Sequence, residues 1–119
     1  MERISFIRHK GQELLFLNFS GCRADEAAPL IERAKTVIAA RPEHSLLTLT
    51  DVTDMRFDDA VNQRMKEFTA HNKPYVRAAA VVGVTGIKKI LFEAVILFSK
   101  RKLHAFDTVE QAKDWLATN

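Results

Sequence analysis

The chain has 119 residues, enough to build one hydrophobic core but not two, so it reads as a single domain over residues 1–119. With 47% hydrophobic and 28% charged residues, four glycines and three prolines, it leaves little room for linkers or disordered tails. A net charge of +3, from 18 basic side chains against 15 acidic ones, is too mild to mark a nucleic-acid-binding protein.

Ile4-Ser5-Phe6-Ile7 and Leu14-Leu15-Phe16-Leu17-Asn18-Phe19 are short apolar runs parted by the polar turn His9-Lys10-Gly11-Gln12, the pattern of an antiparallel hairpin. Past Gly21 and Cys22, Asp25 is positioned to cap a helix whose apolar positions Ala27, Leu30, Ile31, Ala34, Val37 and Ile38 recur at three-and-four spacing. Arg41-Pro42 ends it. Ser45-Leu46-Leu47-Thr48-Leu49-Thr50-Asp51 reads as an inner strand, with Asp51 at its C-terminal end. A second helix begins near Asp58 or Asp59, buries Phe57, Val61, Met65 and Phe68, and stops before Asn72-Lys73-Pro74. Residues 76–84 are, apart from Arg77, small and apolar, as in a strand covered on both faces, and are expected at the centre of the sheet. A third helix opens after Gly86 and runs to about Lys100. The strand-like Leu103-His104-Ala105-Phe106 follows, and Asp107 or Thr108 caps a last helix through Leu116. The resulting order, ββαβαβαβα, implies an α/β fold with a mixed, mainly parallel sheet, an N-terminal antiparallel hairpin and about four helices.

One cysteine, Cys22, cannot form an internal disulfide, and the opening Met-Glu-Arg-Ile lacks the basic-then-apolar layout of a signal peptide. A reducing, cytoplasmic location is the expectation. The most apolar run, residues 87–98, contains Lys88, Lys89 and Glu93 and falls well short of the ~20 residues that span a bilayer, so no membrane span is expected.

Chemistry-bearing motifs are few. His9, His44, His71 and His104 fall in separate elements without metal-site spacing, and no phosphate loop, nucleophile elbow or zinc pattern occurs, so no cofactor, metal or enzymatic role is implied. Gly83-Val84-Thr85-Gly86-Ile87-Lys88-Lys89 places a Gly-flanked turn and two lysines at a helix start, where Thr85, Gly86, Lys88 and Lys89 could hold an anion; the plainer alternative is a simple helix cap. The acidic turn from Asp51 through Asp54 to Asp58 and Asp59 lies at a strand end, where ligands of open α/β sheets gather; the plainer alternative is favourable charge at a helix start.

On the third helix, placing residues at 100° intervals puts Ile87, Ile90, Leu91, Ala94, Leu97 and Phe98 on the buried stripe, so Phe92 and Ile96 are expected to project outward with Val95 on the flank. Lys88, Lys89, Lys100, Arg101 and Lys102 surround that outer face against the single acid Glu93. An apolar face ringed by positive charge suggests a contact surface, unless another element such as the last helix with Trp115 covers it.

The order of elements resembles the SpoIIAA-like, or STAS, group, which includes anti-sigma-factor antagonists and a branch grouped with CRAL-TRIO lipid-binding domains. The resemblance spans nearly the whole chain. It rests on Leu47-Thr48-Leu49-Thr50-Asp51-Val52, on residues 68–76, on Gly83-Val84-Thr85-Gly86 and on residues 106–116. In the antagonist branch an Asp and a phosphorylatable Ser open the helix that switches partner binding. Here Asp58 matches the Asp, but the Ser position is Asp59 or Ala60, which removes the usual switch and leaves Thr53 as the nearby hydroxyl.

The leading expectation is a non-enzymatic STAS-like interaction or regulatory module. It would bind a protein partner, or itself as a homo-oligomer, through the outer face of helix 86–100, with Phe92, Ile96, Lys89, Asp58 and Asp59 as partner-binding residues. The alternative is a small-molecule or lipid-binding domain, in which that helix covers an apolar pocket and Thr85, Gly86, Lys88 and Lys89 hold an anionic head.

Overall fold

The computed structural model describes residues 2–119, apart from the side chain of Ile87. Strands β1 (Ile4–His9) and β2 (Gln12–Asn18) form the opening hairpin, and α1 (Ala24–Ala39), β3 (Leu46–Asp51), α2 (Asp59–Asn72) and β4 (Val76–Val82) follow. Helix α3 (Ile87–Ser99), β5 (His104–Phe106) and α4 (Val109–Leu116) complete the order ββαβαβαβα. The five-stranded sheet has the order β1-β2-β3-β4-β5, antiparallel at β1-β2 and parallel thereafter.

The centre of the sheet is therefore β3, not the run at residues 76–84. Small apolar residues mark burial on both faces, which any inner strand has, and β5 adds only one short strand outside β4. Side-chain alternation divides the sheet between two cores. Leu15, Leu17, Val76, Ala79 and Val81 face the layer that contains α1 and α2. Leu14, Leu47, Leu49, Ala80 and Val82 face Ala112 and Leu116 of α4.

Local chemistry fixes the helix starts. Arg23, not Asp25, is the N-cap of α1: its backbone N–H donates to the Glu26 carboxylate at 2.9 Å, while Asp25 sits in the first turn and pairs with the Arg23 guanidinium at 3.2 Å. At α2 the Asp58 carboxylate accepts from Val61 N–H at 2.7 Å, and at α4 the Thr108 hydroxyl oxygen accepts from Gln111 N–H at 3.1 Å.

Helix α2 lies between α1 and α3, and α3 packs chiefly against α2 rather than lying flat on the sheet. Space is left beneath α3. The loops after β3 and β4 cross close by. Gly83 has φ +93°, and a Cβ there would stand 2.5 Å from the backbone nitrogen of Thr53, so only glycine fits this crossing. No helix among the described residues is long and apolar enough to cross a membrane.

Candidate functional site

The space under α3 is a cavity of about 70 Å³. Leu17, Thr48, Thr50, Ala79 and Val81 form its floor on the sheet. Met65, Phe68 and Thr69 of α2 form one wall, and Leu91, Phe92 and Val95 of α3 form the roof. At ~10–15 Å³ of such space per water, the cavity has room for several heavy atoms as it stands.

Two cations border this mostly apolar space. Lys88 turns inward from the first turn of α3, and its ammonium donates to the Val52 carbonyl at 3.0 Å. Arg101, in the loop after α3, donates to the Thr69 carbonyl at 3.3 Å. Neither takes part in an ion pair among the described residues. Burial pushes the Arg101 guanidinium down to about 10, so it remains charged at neutral pH in surroundings that disfavour the charge. Beside them, the buried Oδ1 of Asn62 lines the cavity without a hydrogen-bond partner. The site thus combines an apolar volume, two incompletely neutralised cations and an amide with spare hydrogen-bonding capacity.

The orientation of α3 differs from the sequence expectation. Phe92 faces inward and Val95 is 7% exposed, whereas Ile90, Leu97 and Phe98 are 68%, 81% and 51% exposed. Phe92 therefore belongs to the roof and not to an outer contact face, and Ile96 is only partly exposed. The expected burial of the Ile87 side chain lies outside the described residues. Nine of the 13 residues of α3 are apolar, so periodicity alone cannot tell its two faces apart. Lys88 and Ser99 mark the inner face: Ser99 is buried because its hydroxyl donates to the Val95 carbonyl at 2.8 Å. Trp115 does not cover α3, because α4 lies across the opposite face of the sheet, where Trp115 packs on His104 and Phe106.

The remaining candidates separate. Lys89 is exposed, so it and Lys88 do not converge on the helix start, where Gly86 is the N-cap at φ +59° and Thr85 is exposed. Asp58 is occupied as a helix cap, and Asp59 is exposed in the first turn of α2. Asp51 accepts from both the N–H and the hydroxyl of Thr53, at 2.9 and 2.6 Å, closing the acidic turn upon itself. Cys22 is fully buried and burial raises its thiol, which opposes nucleophilic use. Among the described residues no group of His, Cys, Asp and Glu is arranged to hold a metal.

Sequence reasoning placed Arg101 only within the basic tract around the outer face of α3, with nothing to set it apart from Lys100 and Lys102, and it did not single out Asn62, which nothing local distinguishes from any other helix amide. Comparison with protein-family models, curated proteins and solved structures gives no match.

Proposed function

We propose that this chain is a non-enzymatic binding module whose cavity beneath α3 takes the apolar end of a small organic acid, with Arg101 and Lys88 holding its anionic group. The observation that carries this reading is the partly buried Arg101 guanidinium at the edge of an apolar cavity, with no carboxylate paired to it among the described residues. A buried charge without a counter-ion is costly, and an incoming anion would relieve that cost. A binding role is favoured over catalysis because the polar groups lining the cavity are cations, amides and hydroxyls, without a carboxylate, thiol or imidazole to exchange protons near neutrality. The resemblance in element order to the lipid-binding branch of SpoIIAA-like domains is compatible with this reading.

The test is a titration with straight-chain carboxylates from propionate to hexanoate, followed by amide NMR shifts. Affinity is expected to rise by about 0.8 kcal/mol per added methylene until the cavity is full, with shifts at Leu91, Val95 and Thr50. Affinity independent of chain length, or shifts confined to surface lysines, would count against a cavity site.

Exposure of Ile90, Leu97 and Phe98 favours a second reading, self-association or partner binding through the outer face of α3. These three residues replace Phe92 and Ile96 as its apolar centre. Sedimentation of the Leu97→Ser, Phe98→Ser variant tests it: loss of an assembly present in the parent chain supports an interface, and a monomer in both rejects self-association.

A further inference from the structure

A second concavity, of about 400 Å³, lies outside the cavity beneath α3. It is a groove beside the first half of β4, at residues 76–79, before β5 begins to pair with β4 at Ala80. Its charged and titratable lining consists of Lys73 at the end of α2, Arg77 on β4, Lys100, Arg101 and Lys102 after α3, and His44 before β3. Among the described residues no Asp or Glu lines it. Five basic residues thus border one groove of a chain whose total excess is +3; the Arg101 guanidinium reaches back to the Thr69 carbonyl and that of Arg77 to Asn119, and Lys73, Lys100 and Lys102 are exposed beside them. Among the described residues none of these five is in an ion pair with Asp or Glu, and Arg77 donates to the main-chain oxygen of Asn119, the last residue of the sequence, at 3.3 Å, so it is already engaged.

His44 and Lys100 both line the groove at φ +57°: Lys100 is the left-handed C-cap that ends α3, and histidine is among the residues that adopt this region more readily than most. Gathering like charges is unfavourable in an empty groove, and it becomes favourable when a multiply charged anion enters. A single carboxylate would engage one or two of these cations. A phosphate monoester or pyrophosphate presents more oxygens and more charge, which matches the number of donors available. Apart from the His44 ring, no aromatic side chain lines the groove, so it lacks the stacking surface by which single-stranded nucleic acids are held.

We propose that the groove bounded by Lys73, Arg77 and Lys100 to Lys102 is a binding site for a phosphate-bearing ligand carrying at least two negative charges. It does not depend on the carboxylate reading of the cavity under α3, because Lys73, Lys100 and Lys102 lie outside that cavity. The phosphate belongs either to a free metabolite or to a lipid headgroup.

The test is an amide NMR titration with pyrophosphate, run beside co-sedimentation with phosphatidylcholine vesicles with and without phosphatidic acid. Saturable shifts at His44, Lys73 and residues 100–102 are expected with pyrophosphate if the source is soluble. Sedimentation only with phosphatidic-acid vesicles identifies a headgroup. In either arm, Lys73→Gln, Lys102→Gln should bind at least about tenfold more weakly while keeping the parent spectrum elsewhere. A control at an exposed site away from the groove, Lys89→Gln, should bind as the parent does. The proposal is overturned if neither probe binds, if the double variant binds as tightly as the parent, or if a single-stranded oligonucleotide binds the groove and pyrophosphate cannot compete with it.

Discussion

Arg101 shows most directly how one residue can be costly to the fold and useful at a site. Its folded value lies below that of an exposed guanidinium, so the native state disfavours the protonated form. Below about pH 10 the residue is charged in both native and unfolded chains and the full penalty is present. As pH rises through that value the native state releases the proton first, and stability gains until the unfolded chain also deprotonates. Arg101→Met should therefore stabilise the protein at neutral pH by about 1–3 kcal/mol, seen as a higher urea midpoint, and that advantage should shrink above pH 10. Gly83→Ala should act in the opposite direction, losing at least about 2 kcal/mol, because the new methyl would collide with the Thr53 backbone at a positive φ. Cys22 should react with a thiol reagent only as fast as the chain opens, and at full speed in denaturant. Neither the environment of Arg101 nor the Gly83 crossing was visible in the sequence, since each depends on residues brought together by distant loops.

Among the elements, strands and caps were the most legible. Leu14 to Leu17 read as a strand because all four are apolar, and the pleat then sends them alternately to the two cores; Asp58 and Thr108 cap their helices as short polar residues at helix starts do, whereas Asp25 lost that place to Arg23. Helix α3 was legible in extent but not in orientation. An apolar residue stands on nearly every side of it, so the inward direction is set by α2 and the sheet rather than by its own pattern. Replacing an inner and an outer residue separates the two orientations. Phe92→Ala should cost about 2–4 kcal/mol and expose the cavity, whereas Leu97→Ser should change stability by less than about 0.5 kcal/mol in the monomer, as thermal unfolding would show. Equal losses at both positions would place the helix in neither orientation.

At the scale of the whole molecule, order and connectivity followed from alternating strand and helix patterns, while the location of both concavities did not. Each arises where one element ends short of its neighbour: α3 rides on α2 and leaves space above the sheet, and β5 is too short to cover the first half of β4. Charge behaved similarly. A net charge of +3 gave no sign that five cations would line one groove, because composition averages over surfaces that folding keeps apart. The cavity and groove share Arg101, so the two proposed sites adjoin.

The most direct measurement of binding beneath α3 is a native mass spectrum of the chain beside Arg101→Met, each incubated with hexanoate. The expected result is a parent chain carrying the added mass of one acid and a variant that remains bare. A parent chain that stays bare, or a variant that retains the acid equally well, would contradict a site in which Arg101 holds the anion.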